Sequence, residues 1–123
     1  MTYYIRPYVR SRTISQNDVY TLRVDIYEED EAFVLRTAVP GLSAEDLNVQ
    51  ILGDVVRIEG EYRTSEGEHL LRELPEGKFI RTLCLPSEVD ADGVEASIEN
   101  GILALTLPKI EAARPKKIKV LAK

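Results

Sequence analysis

The chain is poor in the residues that carry most protein chemistry. It has one Cys (Cys84), one His (His69), one Met and no Trp in 123 residues. One Cys excludes an intramolecular disulfide, and with it a disulfide-stapled secreted scaffold. One His and one Cys cannot supply the nitrogen and sulfur ligands of a structural zinc site. No apolar run approaches the roughly 18 to 20 residues that cross a bilayer as a helix, so no membrane span is expected. The N-terminal stretch has basic residues but no apolar run behind them, which argues against a secretory leader and for a cytoplasmic location. There is no phosphate-binding loop: Gly77-Lys78 is followed by Phe79, and no glycine stands five residues before Gly77. The serines lie in no nucleophile-elbow context, and nothing selects one carboxylate pair among 21 acids. The run Glu28-Glu29-Asp30-Glu31 reads as a charged turn rather than a calcium loop. The expectation is a non-enzyme with no cofactor and no metal.

What is present fits one folded domain. With 44% hydrophobic and 30% charged residues, the composition excludes wholesale disorder, and the length leaves room for one core. The formal net charge of −5 hides an uneven distribution. Residues 1–23 carry +3, residues 109–123 carry +5, and the body between them carries −13. An acidic body repels nucleic-acid phosphates, so no nucleic-acid partner is expected. Two basic arms on an acidic body are either solubilising ends or contacts to the bodies of neighbouring subunits.

Alternation with period two dominates the body and predicts half-buried strands. Phe33, Leu35, Thr37 and Val39 share one face until Pro40-Gly41 stops the run. Ser43 to Asp46 suits a single helical turn capped by Ser43. Leu47, Val49 and Ile51, a turn at Gly53-Asp54, then Val56 and Ile58 read as a hairpin. Strand character returns from Phe79 to Leu85, with Cys84 expected as a small packing residue. Val94, Ala96 and Ile98 lead into Asn100-Gly101, which suits a type I′ turn, and Leu103, Leu105 and Leu107 alternate out of it. Six or seven short strands with turns every 8 to 12 residues predict an all-β antiparallel sandwich.

Two segments fit no strand of that sandwich. Residues 61–77 form a polar excursion with five acids, a surface His69, and the apolar island Leu70-Leu71-Arg72. The island is too short to hold itself in a sheet, and adding it to a neighbour's edge is one way to stabilise it. Near the C-terminus, after a charged stretch expected to be extended, Ile118 and Val120 stand two apart in Ile118-Lys119-Val120. On a strand they point the same way, as a two-pronged apolar plug or as an ordinary last strand.

Taken together, these segments resemble the small heat-shock proteins, the family with an α-crystallin domain. Val24-Asp25-Ile26-Tyr27-Glu28 is similar to the family's opening strand. Ala38-Val39-Pro40-Gly41-Leu42 with Leu47-Asn48-Val49 is similar to its proline-glycine turn and next strand. Gly77-Lys78-Phe79-Ile80-Arg81 with Leu85-Pro86 resembles its glycine-x-phenylalanine-x-arginine strand. Ala96, Asn100, Gly101 and Leu103 match its A-x-x-x-n-G-x-L signature, and Ile118 and Val120 match its C-terminal I-x-I/V motif. The likeness spans roughly Val24 to Val120.

The resemblance implies an immunoglobulin-like β-sandwich over residues 24–108, with flexible arms at 1–23 and 109–123. It implies an ATP-independent holdase that binds partly unfolded proteins and prevents their aggregation under heat or other stress. The implied partners are further copies of itself in dimers and higher oligomers, unfolded clients, other small heat-shock proteins, and ATP-dependent refolding chaperones. In this likeness, residues 61–77 are a strand-exchange loop whose Leu70, Leu71, Arg72 and Glu73 add to the partner's edge at Val24 and Ile26. Where the family often has Glu-Arg, this loop has Glu73-Leu74. Ile118 and Val120 would enter a groove lined by Val49, Ile51, Val94 and Ile98. Tyr3, Tyr4, Ile5, Tyr8 and Val9 would form a client-binding arm. The competing reading is a monomeric cochaperone of the CS-domain type that docks on one folded partner.

Overall fold

The computed structural model describes residues 20–64 and 66–123. Seven strands run in two antiparallel sheets. They are β1 (Val24–Glu28), β2 (Ala32–Ala38), β3 (Leu47–Leu52), β4 (Val55–Tyr62), β5 (Gly77–Cys84), β6 (Glu95–Glu99) and β7 (Ile102–Pro108). One sheet has the order β1-β2-β7-β6, the other β3-β4-β5. The all-β sandwich expected from the alternation is therefore the fold.

The inward faces follow the predicted period. Phe33, Leu35, Thr37 and Val39 are buried, as are Val56 and Ile58 on β4 and Leu103, Leu105 and Leu107 on β7. The buried Thr37 hydroxyl donates to the Arg23 carbonyl at 2.7 Å, which satisfies the one polar side chain on that face of β2. Between β2 and β3, a 3-10 turn spans Ala44–Asp46. The Ser43 backbone N–H and hydroxyl both donate to Asp46 Oδ2, at 2.9 and 3.1 Å. The backbone bond is the stronger reason that the Asp46 carboxyl ionises below the usual carboxylate range.

Two glycines are required by geometry. Asn100 and Gly101 sit at φ 52° and 77°, the left-handed conformation that the β6–β7 turn needs and that these two residues tolerate best. Gly60 on β4 lies between Leu47 on β3 and Phe79 on β5 in the ladder. A Cβ there would stand 2.5 Å from Phe79 Cζ and 2.8 Å from the Asp46 carbonyl oxygen, so the absent side chain is the space the Phe79 ring occupies.

Packing extends past both expected limits of the body. Leu22 is 1% exposed, and its carbonyl accepts from Arg81 Nη1 at 3.1 Å. Tyr20 forms an isolated parallel bridge with Phe79 and packs edge-on against Tyr62 at 5.7 Å between centroids. At the other end, Lys109 is buried rather than part of an extended tail. Its Nζ pairs with Glu28 at 2.8 Å and stands 5.1 Å above the Phe33 ring. A 3-10 turn at Glu111–Ala113 follows. Cys84 is exposed, not a packing residue: it lies in opposite phase to Leu83 and Leu85, on the uncovered outer face of β5.

Candidate functional site

Among the described residues no group of three or more His, Cys, Asp or Glu is placed to hold a metal ion. Four places on the surface are open to association.

The first such place is β1, an edge of the four-stranded sheet. It pairs with β2 on one side, Val24 with Thr37 through Glu28 with Phe33. Its other side has no strand partner among the described residues, so its N–H and C=O groups are free to take one. Val24 packs partly against the core, whereas Ile26 and Tyr27 are exposed. The same strand's last residue, Glu28, holds Lys109, so the pair ties the edge to the root of the C-terminal tail.

The second is the loop between β4 and β5. Its described residues contain no strand between Tyr62 and Gly77, consistent with an island too short to pair within its own chain. Leu70 and Leu71 are more than half exposed, and Leu74 is 83% exposed. Arg72 is occupied inside the loop. Its Nη1 bonds Glu76 Oε1 at 2.9 Å and its Nη2 lies 2.7 Å from His69 Nδ1. Glu73, next to it, is exposed.

The third involves β3 and β6, each an edge strand of its own sheet. Val49 and Ile51 from β3, Val94 just before β6, and Ile98 on β6 are each only partly buried and pack against the same core. All four residues assigned to a groove remain partly accessible at the surface of the core. Ala96 lies on β6 between Val94 and Ile98, in the same phase, and is exposed. Asn100 and Gly101 make the following turn, and Leu103 is buried in the core, so the signature residues shape the end of β6.

The fourth is the tail. Beyond the Glu111–Ala113 turn, no regular element holds it. Ile118 is 82% exposed and Val120 89% exposed. Isolated apolar side chains on a surface are ordinary; this pair is two β-branched residues two apart on a segment with no regular structure. Tyr3, Tyr4, Ile5, Tyr8 and Val9 lie outside the described residues.

Sequence reasoning missed two members of this surface. The aromatic anchor Tyr20–Tyr62–Phe79 fixes where the N-terminal segment joins the body, and its only signal was the alternation of Tyr20, Leu22 and Val24. Burial pushes the Tyr62 phenol above its ordinary range, with Tyr20 adding to the shift, and its hydroxyl has no hydrogen-bond partner among the described residues. Lys109 carries no local signal of burial in the sequence, and only the register of β1, β2 and β7 brings it over Phe33.

Comparison with known proteins points the same way. The Hsp20/alpha crystallin family profile matches residues 25–121. Over 100 residues the chain is 36% identical to spore protein SP21 of Stigmatella aurantiaca, covering 78% of this chain and 59% of that protein. Over another 100 it is 39% identical to a 17.4 kDa class I heat shock protein of Arabidopsis thaliana, covering 76% and 63%. The chain thus spans about three fifths of the length of these relatives. Among solved structures, a small heat-shock protein from Xylella fastidiosa superposes with a TM-score of 0.69 at 35% identity, over 85% of this chain and 100% of that one. With its sandwich, its A-x-x-x-N-G-x-L turn and its matched length, this chain belongs to the Hsp20/alpha crystallin family of small heat-shock proteins.

Proposed function

We propose that this protein is an ATP-independent holdase of the cytoplasm, which binds partly unfolded proteins through apolar surface and keeps them from aggregating under heat or other stress. The observation that carries the reading is the set of large apolar side chains left uncovered on an edge strand, a loop and a tail: Ile26, Leu70, Leu71, Ile118 and Val120. Burying apolar area drives association without any chemical step, so a protein built this way needs neither nucleotide nor catalytic residues.

In this reading the building block is a dimer. The loop island Leu70 to Glu73 of one subunit adds to the partner's β1 edge at Val24 and Ile26, by strand addition. Tails then join dimers, with Ile118 and Val120 entering the groove of Val49, Ile51, Val94 and Ile98 on a neighbour. Tyr3, Tyr4, Ile5, Tyr8 and Val9 supply further client contact. Other small heat-shock proteins with compatible tails and the ATP-dependent refolding chaperones are the expected collaborators. Warming weakens subunit contacts and uncovers more of the same apolar surface.

The test is a labile enzyme heated with and without the protein, with no nucleotide, followed by light scattering. Suppressed scattering at subunit excess is expected. Unchanged scattering at that excess would leave the holdase reading without support, and a stable complex with one folded partner would favour an adaptor instead.

A further inference from the structure

The charges of β6 and the segment before it are segregated from those of the tail more completely than the net charge conveys. From Thr82 to Pro108 there is no Lys or Arg, while Glu88, Asp90, Asp92, Glu95 and Glu99 all occur there. From Ala112 to Lys123 the pattern inverts: Arg114, Lys116, Lys117, Lys119 and Lys123, with no acid. All five acids are exposed, and so are all five bases. Among the described residues no ion pair uses any of the ten. Asp90 caps the short turn Ala91–Gly93 by accepting from the Asp92 N–H at 3.1 Å, and Arg114 Nε donates to the Lys109 carbonyl at 3.1 Å. Neither contact neutralises charge.

We infer that the acidic strip along Glu88 to Glu99 is a docking surface for the basic tail of a second copy, and that charge acts with the apolar pair in deciding which tails are accepted. The inference rests on the tail-in-groove reading above and adds an electrostatic requirement to it. Strand alternation supplies the geometry. With Ile118 and Val120 turned into the groove, Lys117 and Lys119 turn outward along its rim. The β6 rim carries Glu95 and Glu99 on its exposed phase. The β3 rim carries Asn48 and Gln50, and Asn48 is engaged with Glu59 at 2.8 Å. The unpaired negative charge therefore stands on the β6 side. Rim charges of this kind govern encounter rate, salt dependence and exclusion of wrong partners more than intrinsic affinity. A tail lacking bases, or carrying acids, would meet like charge at this rim.

The test uses two full-length variants, Lys117→Glu/Lys119→Glu and Glu95→Lys/Glu99→Lys, sized by native mass spectrometry at low and high salt. All four positions are exposed, so the melting temperature of each variant should match the parent's. Each variant alone should show tail-mediated association weakened about tenfold or more at low salt. The parent should weaken as salt shortens the screening length from about 8 Å at physiological ionic strength to about 3 Å at 1 M. Mixed, the two variants set acidic residues at tail positions 117 and 119 against basic residues at positions 95 and 99, and the unaltered bases of one variant's tail against the unaltered acids of the other's β6 rim. The mixture should assemble where neither does alone, which also requires that the tail docks on another copy. Variants that assemble like the parent at low salt, or a mixture that stays dissociated, overturn the inference. A companion variant, Ile118→Ala/Val120→Ala, separates the two ideas. If it dissociates while the charge variants do not, the groove reading stands and the charge requirement falls. If it also assembles normally, the groove reading fails with it.

Discussion

Replacing both exposed tail residues, Ile118→Ala with Val120→Ala, tests the proposed plug without disturbing the fold. The two side chains are 82% and 89% exposed in the single chain, so truncating them removes almost no packing from the body. Its melting temperature should not move, since surface changes of this kind stay within about 0.5 kcal/mol. In the assembly the same atoms are argued to be buried. Ile to Ala removes three carbons and Val to Ala two, and at about 0.8 kcal/mol per buried methylene the pair contributes up to about 4 kcal/mol per seated tail. Partial burial in an open groove would halve that, so the expected loss is about 2 to 4 kcal/mol, or roughly 30-fold to 1,000-fold in affinity. Sedimentation velocity across a concentration series reads this directly. The double variant should run as dimers at concentrations where the parent forms larger species. An unchanged size distribution would refute the plug, and a fall in melting temperature would refute the premise that the pair is free in the single chain.

Other perturbations test the fold that positions these surfaces. Gly60→Ala forces a Cβ into the Phe79 ring and the Asp46 carbonyl and should cost about 1 to 3 kcal/mol, visible as a clear drop in thermal midpoint. Tyr62→Phe deletes a buried hydroxyl that lacks a partner and should be neutral or stabilising by up to about 1 kcal/mol. Because the folded Tyr62 phenol ionises above the ordinary tyrosine value, the parent should also lose stability as pH rises beyond that value. The Phe variant should lack this alkaline component in denaturant titrations at several pH values. Lys109→Met keeps a stem over Phe33 and loses a pair whose Glu28 side is more than half exposed, so it should cost under about 1 kcal/mol. Lys109→Ala also loses the stem and should cost about 1 to 2 kcal/mol. The reverse order would mean that charge, not packing, keeps Lys109 buried.

The residues that made the fold legible are those whose period alone decides their side. Phe33 to Val39 and Leu47 to Ile58 alternate, and a one-residue slip would expose the whole set, so pattern and register agree. Asn100-Gly101 was equally readable, because few other pairs accept two positive φ angles. Cys84 was harder: its phase was plain, but whether the outer face of β5 is covered depends on layers that local sequence does not report. Lys109 and the Tyr20–Tyr62–Phe79 cluster were not legible, since each depends on which distant strands become neighbours. The surfaces for association were visible as misfits, an apolar island in a polar loop and a β-branched pair on a basic tail. What would cover them is implied by the family likeness, because one chain does not contain a partner.

The central claim is that the uncovered edges and apolar pairs of this chain exist to be covered by further copies of it. The mass of the native, full-length protein at micromolar concentration and moderate salt tests this most directly. Native mass spectrometry should find even multiples of the 13.9 kDa subunit, with little free monomer. A homogeneous 13.9 kDa species under those conditions would contradict the account.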